Sequence, residues 1–264
     1  MNLVTPISHL FQKEKNSIDI IQNSDYLEAR ERTCTLRFPK TTHYHIDFDL
    51  NLGLNDNQID FLKNHVRDRE YITNLTFQAH KDCNEIIWKD GIAYPVSNII
   101  PLKKQVENTK LSIKKIKNIV GTHRFIGIEN NNYLFPSVHD ISTSLSYLLA
   151  VLELNDLHLL FDISHALVTC ANKSYEFENY ANQLLSTRKC LQMHLCQPTY
   201  EYSLKGVEAK DSHEIPTIEL TDLTLDLAKK WKIENITVEY YKNADTLVAY
   251  LKYLRSRIKR IGNE

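Results

Sequence analysis

The sequence predicts an α/β protein built as a (β/α)8 barrel, and three observations point there. Short apolar runs with strand character recur along the chain, and segments with apolar residues at helical spacing lie between them. Roughly eight such units in 264 residues match the size of this barrel. Strands alternating with helices imply right-handed crossovers and a parallel sheet. A doubly wound open sheet is the competing fold, but it often begins with a glycine-rich turn. The six glycines here form neither G-x-G-x-x-G nor G-x-x-x-x-G-K-[ST], which also argues against dinucleotide and P-loop phosphate sites.

Taken in order, the strands are expected at Asp25–Arg30, His43–Leu50, Ile72–Gln78, Phe125–Glu129, His158–Ile163 and Cys190–Cys196. A weaker seventh follows at Pro216–Leu220, and the eighth lies at Ile236–Tyr240. Helices are expected over Asn57–Arg69, Leu102–Val120, Ser137–Leu154, Tyr175–Leu185, Asp222–Trp231 and Asp245–Ile258. The chain has no repeat, no low-complexity run and no Pro/Gly/Ser-rich linker. Its nearest approach to a break is the polar, turn-rich stretch from Lys81 to Asn98. A single domain covering 1–264 is the expected organisation.

Composition narrows the function. There are 32 basic and 33 acidic residues, so no charge excess draws the chain to nucleic acid or to a membrane surface. The five cysteines (Cys34, Cys83, Cys170, Cys190, Cys196) are odd in number and lack a C-x-x-C pair, which fits reduced thiols in a cytoplasm. Residues Met1 to Leu10 lack the charged and apolar regions of a signal peptide. The longest apolar stretch, around Leu145 to Leu160, is broken by Glu153, Asn155, Asp156 and His158. A soluble cytoplasmic protein is expected.

Eleven histidines, several beside carboxylates, suggest a metal site. In a barrel, reactive groups gather at the C-terminal ends of the strands. His45 lies on the second expected strand, His80 just past the third, and Glu129-Asn130 at the end of the fourth. Asp162 ends the fifth with His165 three residues on, His194 lies on the sixth, and Glu239 on the eighth. Between the sixth and eighth, Asp211-Ser212-His213 sets a carboxylate and an imidazole on one side of an extended chain. Four carboxylates converging on one mouth repel unless cations neutralise them. Imidazole and carboxylate without thiolate suit iron, zinc or manganese, and nine donors exceed what one ion needs.

Each residue also has a plainer reading. A lone histidine at a strand end is usually a structural hydrogen-bonding group, and Asp211-Ser212-His213 serves equally well as a loop cap. His9, His43, His65, His123, His139 and His158 fall outside the register and read as surface or scaffold residues, His43 sharing the parity of His45. The basic faces Lys110–Lys117 and Arg255–Arg260 read as solvated. Cys196 points the same way as His194 and reads as a packing thiol.

Several segments resemble, in order, those of the DUF692 family of multinuclear non-haem iron-dependent oxidative enzymes. They are Asn98-Ile-Ile-Pro-Leu, Ile128-Glu-Asn-Asn-Asn-Tyr-Leu, Leu159-Leu-Phe-Asp-Ile-Ser-His, Gln192-Met-His-Leu, Lys210-Asp-Ser-His-Glu-Ile-Pro and Ile236-Thr-Val-Glu-Tyr. The likeness runs from about Asp25 to about Leu254, and Met1 to Ser24 match poorly. It departs from the family at Ile46, where glycine is usual, at Gln78-Ala79-His80, where Ser-Glu-His is usual, and at His165, where many members have Asn.

The resemblance implies a xylose-isomerase-like TIM barrel holding two or three irons of mixed Fe(II)/Fe(III) state. His45, His80 and Glu129 would hold one iron. Glu129 would bridge to a second held by Asp162, His194 and Glu239, and His165, Asp211 and His213 would hold a third. Glu129, His194 and Asp162 would be central to catalysis, with Asn130 orienting ligands. It further implies oxygen-dependent modification of a residue, expected to be Cys, in a ribosomally made precursor peptide, together with a separate leader-peptide-binding partner protein. The ligand order also resembles endonuclease IV barrels, so a zinc- or manganese-dependent hydrolase or isomerase is the alternative. A third reading is a scaffold that keeps the barrel without metal.

Overall fold

A computed structural model describes residues 1–261 except 90–91, 135–137, 154–156, 188–189 and 204–205, and the side chains of 92, 202–203 and 206–208 are also outside the description. In chain order the elements are β1 (Asn2–Pro6), α1 (Glu14–Asn23), β2 (Tyr26–Arg30), β3 (Thr41–Asp49), α2 (Asp56–His65), β4 (Asn74–Gln78), β5 (Ile86–Lys89), β6 (Ile92–Pro95), α3 (Leu102–Val120) and β7 (Phe125–Glu129). They continue with α4 (Leu145–Leu152), β8 (Leu157–Asp162), α5 (Ile163–Lys173), α6 (Phe177–Thr187), β9 (Cys190–Leu195), β10 (Gln197–Ser203), β11 (Gly206–Glu214), α7 (Ile218–Trp231), β12 (Asn235–Val238) and α8 (Ala244–Ile261).

Eight strands pair in parallel and close into a barrel in the order β1, β12, β9, β8, β7, β4, β3, β2. The expected fold class is what the chain adopts. The remaining strands form two antiparallel hairpins, β5–β6 after β4 and β10–β11 after β9, so both belong to connections at the C-terminal end of the barrel. No helix among the described residues is long and apolar enough to cross a membrane.

Alternation along each strand separates two environments. Tyr44 and Ile46 on β3, Leu75 and Phe77 on β4, Ile126 and Ile128 on β7, Leu159 and Phe161 on β8, and Met193 and Leu195 on β9 all join one buried apolar cluster with the helices. Their neighbours of opposite parity, His43, His45, Asn74, Thr76, Glu129, Asp162, Gln192 and His194, are also buried but lie outside that cluster. Beneath Glu129 the walls approach closely at Gly127: a Cβ there would stand 3.0 Å from Thr76 Cγ2 and 3.2 Å from Leu191 Cδ1.

Four expectations need correction. The strand at Asp25–Arg30 is the barrel's second in chain order. The first, β1, lies in the N-terminal segment and pairs with both β12 and β2. It is five residues long, with Leu3 and Val4 fully buried, too brief to show an alternation. Pro216–Leu220 is not a strand: Thr217 Oγ1 accepts a hydrogen bond from Leu220 N at 3.2 Å, capping α7. The helix expected over Ser137–Leu154 is the shorter α4, capped by Ser144, and residues 137 and 154 lie outside the description. Helix α5 was not anticipated, and the turn-rich Lys81–Asn98 stretch carries the β5–β6 hairpin.

Candidate metal centre

The structure gathers the anticipated residues at the C-terminal mouth of the barrel. Glu129 stands in the middle, and its two oxygens face different histidines. Oε2 lies 3.5 Å from His45 Nε2, while Oε1 lies 3.2 Å from His194 Nδ1 and 3.8 Å from His165 Nδ1. His194 Nδ1 also faces Glu239 Oε1 at 3.4 Å and Asp162 Oδ2 at 3.8 Å. Asp211 Oδ2 links His165 Nε2 at 3.3 Å to His213 Nε2 at 3.4 Å, and His213 Nε2 lies 3.6 Å from Glu239 Oε2. Eight of the nine anticipated residues thus share one network. His80 stands at its margin. Its ring stacks on His139 with centroids 4.2 Å apart, and it feels the charges of His165 and Glu129.

Local structure explains the aim of each group. Asp162 is the N-cap of α5: its Oδ1 accepts from His165 N at 2.8 Å, which leaves Oδ2 pointing into the mouth. Asn130 clips β7 to β8, donating Nδ2–H to Asp162 O and accepting from Asp162 N on Oδ1, both at 2.9 Å. Thr76 Oγ1 lies 3.0 Å from His45 Nδ1, so Nε2 is the nitrogen turned towards Glu129. His213 adopts φ +48, a left-handed conformation within the β10–β11 hairpin. Asp211 and His213 therefore belong to a strand pair rather than to a plain loop.

Two residues beneath the mouth escaped the sequence reading, Glu28 buried and Arg30 partly exposed. Glu28 on β2 is fully buried, and its Oε2 lies 3.2 Å from His194 Nε2 and accepts from Gln192 Nε2 at 2.5 Å. Arg30 bridges Glu28, at 2.6 Å, to Glu239, and Tyr241 donates its hydroxyl to Glu239 Oε1 at 3.1 Å. A charged pair at positions 28 and 30 of a strand otherwise reading Tyr-Leu-Glu-Ala-Arg is the signal that could have found them.

Charge dominates the site. Burial disfavours ionising Glu129, yet His45, His194 and His165 hold its pKa down to about 2. Burial similarly opposes the charge of Asp211, but His165 and His213 lower it to about 2. Asp162 goes the other way: burial outweighs the help of His165, and with the charges of Glu129, Glu239 and Asp211 pushes it up to about 7. Burial disfavours the protonated forms of His165, His194 and His213, yet the surrounding carboxylates raise all three. His45 is lowered by burial, and His80 falls to about 3 through burial and the neighbouring His139. Without metal, protons on imidazoles carry the positive charge that this carboxylate cluster demands.

The donor set fits a metal. Glu129 Oε2, Asp162 Oδ2 and His194 Nδ1 are buried and make no hydrogen bond, a cost a coordinated cation removes. Among the described residues, three groups have ligand atoms mutually within 4.8 Å: Glu129, Asp162 and His194; Glu28, His194 and Glu239; and Cys196, His213 and Glu239. His45, His80, His165 and Asp211 belong to none of these three groups.

No protein-family model and no curated protein matches the sequence. Solved structures do share the fold. The chain is similar to a putative xylose isomerase from Rhodospirillum rubrum ATCC 11170, with TM-score 0.66, 9% identity, and 97% of this chain and 99% of that one covered. It is similar to mannonate dehydratase from Streptococcus suis serotype2, with TM-score 0.62, 11% identity, and 100% and 95% covered. Endonuclease IV from Thermus thermophilus aligns with TM-score 0.60, 9% identity, and 98% and 100% covered. The fold is therefore a xylose-isomerase-like TIM barrel.

Proposed function

We propose that this chain is a multinuclear iron-dependent oxidative enzyme that uses oxygen to modify a residue, a cysteine by this reading, of a ribosomally made precursor peptide. The observation that carries it is Glu129, whose two buried oxygens face His45 on one side and His194 with His165 on the other. A carboxylate so placed is suited to bridging two ions. His45, His80 and Glu129 would hold one iron; Asp162, His194, Glu239 and the second Glu129 oxygen another; and Asp211, His213 and His165 belong to a third position. When bound, iron supplies one-electron redox chemistry and lowers the pKa of a coordinated thiol.

The chain's own residues prepare this chemistry. Glu28 Oε2 lies 3.2 Å from His194 Nε2, and a proton held there would leave Nδ1 for coordination, the usual support for a histidine ligand. Arg30 neutralises Glu28 and Glu239 together. Beside them opens a cavity of about 510 Å³ whose walls include Arg30, Tyr241, Ser8, His9, Arg32 and Thr33, and two of these, Arg30 and Tyr241, contact Glu239. A separate protein gripping the peptide's leader completes the proposal, as the DUF692 resemblance implies.

A second reading, zinc- or manganese-dependent hydrolysis or isomerisation, draws support from the solved structures of this fold, which include a dehydratase, epimerases and an endonuclease. Elemental analysis with a visible spectrum separates the two, on protein purified anaerobically from cells supplied with iron and zinc. Two or three irons per chain with a ferric band that bleaches on reduction supports the oxidative reading. Stoichiometric zinc without colour overturns it in favour of the hydrolytic one.

A further inference from the structure

Cys196 differs from the other four cysteines in what surrounds it. Cys170 and Cys190 lie in the main apolar cluster, Cys34 packs against it, and Cys83 sits in a small satellite cluster. Cys196 is fully buried yet belongs to neither. Its neighbours are the carboxylates of the metal centre: Sγ donates to Asp211 Oδ1 at 3.3 Å, and burial together with the charges of Asp162, Asp211 and Glu239 keeps the thiol protonated while no cation is bound. A buried cysteine normally behaves as a small hydrophobe, and this environment is the opposite of the one that role requires.

The hairpin sets the geometry. Gln197 pairs with Glu214 at the base of the antiparallel β10–β11 hairpin, and Cys196 and His213 each adjoin one member of that pair. The left-handed φ of +48 at His213 belongs to this same turn of chain. Sγ of Cys196, a ring nitrogen of His213 and a carboxylate oxygen of Glu239 lie mutually within 4.8 Å. Glu239 divides its oxygens: Oε1 is held by Arg30 and Tyr241, while Oε2 faces His213 at 3.6 Å. Next to this group, Asp162 Oδ2 is fully buried without a hydrogen bond; it groups with Glu129 and His194, and its charge also reaches the Cys196 thiol.

We propose that Cys196 is a thiolate ligand of the outermost ion of the centre, shared with His213 and Glu239. This deepens the metal-centre reading given above and rests on it. It also changes the expected donor set there, from imidazole and carboxylate alone to one containing sulfur. Binding exchanges the thiol proton for the metal, with no change of oxidation state, and the proton leaves to solvent. A thiolate selects borderline and softer ions such as iron(II), zinc and cobalt(II) over manganese or magnesium.

Cobalt(II) titration of the full-length, metal-free protein tests this. The expected result is visible d–d absorption together with an intense near-ultraviolet thiolate-to-cobalt charge-transfer band. Cys196→Ser should keep the d–d bands and lose the charge transfer, while Cys34→Ser keeps both. X-ray absorption on the wild-type cobalt or zinc form provides a check that needs no variant: a sulfur scatterer at about 2.3 Å is expected. Charge transfer that survives in Cys196→Ser overturns the proposal, as does bound metal with no sulfur scatterer. Absence of any cobalt spectrum in the wild type overturns the whole metal-centre reading, so the two failures look different.

Discussion

The two faces of the barrel wall use the same strands for opposite purposes. Outward-facing residues such as Tyr44, Ile46, Phe77 and Phe161 merge into one apolar cluster under the helices. Inward-facing residues at the same depth of burial, His45, Glu129, Asp162 and His194, carry ionisable groups whose charges are matched by other buried groups of the same network, Glu28, His165 and Glu239 among them. The outer face gains from area removed from water, which many apolar side chains can supply. The inner face depends on particular atoms, because removing one partner strands a buried charge on the other. Substitutions on the two faces should therefore fail in different ways.

The largest expected effect is on the inner face. Glu129→Ala removes the group that faces three histidines, so metal content should collapse and turnover fall to background while far-ultraviolet circular dichroism keeps the barrel signal. Retained metal at full stoichiometry would show that Glu129 is not the bridge. Phe161→Ala on the outer face should do the reverse. It should cost about 3–5 kcal/mol of stability in chemical denaturation, yet the folded fraction should still load its full complement of metal. If Phe161→Ala lost metal in proportion to stability, the two faces would not be separable.

The pH dependence sharpens the contrast without mutation. His165, His194 and His213 have raised pKa values in the fold, because carboxylates overcome the opposing effect of burial. Their contribution to stability is fully present below the unfolded imidazole value of about 6.5 and declines as pH rises towards the folded values. Asp162, pushed up to about 7 by burial, acts in the same direction, since the fold keeps a proton that the unfolded chain has released by then. The thermal midpoint of the metal-free protein should therefore fall as pH rises from about 6.5, and bound metal should flatten that fall. A midpoint rising over this range would mean that the imidazoles are not protonated partners of the carboxylates.

The barrel and most of the mouth were legible for a simple reason: both follow from strand parity. Glu129 and Asp162 each end an apolar run, and His45 and His194 stand inside strands whose alternate residues are apolar, so parity marks all four. Asp211 and His213 were visible as a pair two residues apart, although the hairpin that holds them was not. β1 was hidden because five residues are too few to display a period. Pro216–Leu220 misled because a capped helix start with Ile and Leu in it looks locally like a short strand. Cys196 was visible in register, but the carboxylates around it arrive from β8, β11 and the segment after β12, and no local pattern records that meeting. Glu28 was missed for a related reason: a charge inside a short strand looks like an edge until the barrel closes around it.

Glu28 also supplies the smallest and most discriminating test. It is one step removed from the central Glu129, yet it is fully buried and its Oε2 lies 3.2 Å from His194 Nε2. Burial opposes its ionisation, but Arg30 and His194 keep its carboxyl well below the usual range, so it is charged throughout the working pH range. Glu28→Gln preserves volume and an acceptor oxygen while removing that charge. If Glu28 positions His194, metal affinity should fall by about 10- to 100-fold, with stoichiometry and fold unchanged. Loss of an entire metal equivalent would instead make Glu28 a ligand, as its grouping with His194 and Glu239 within 4.8 Å allows. An unchanged affinity would assign Glu28 to balancing Arg30 alone, and the inner face would then need only the charges at its mouth.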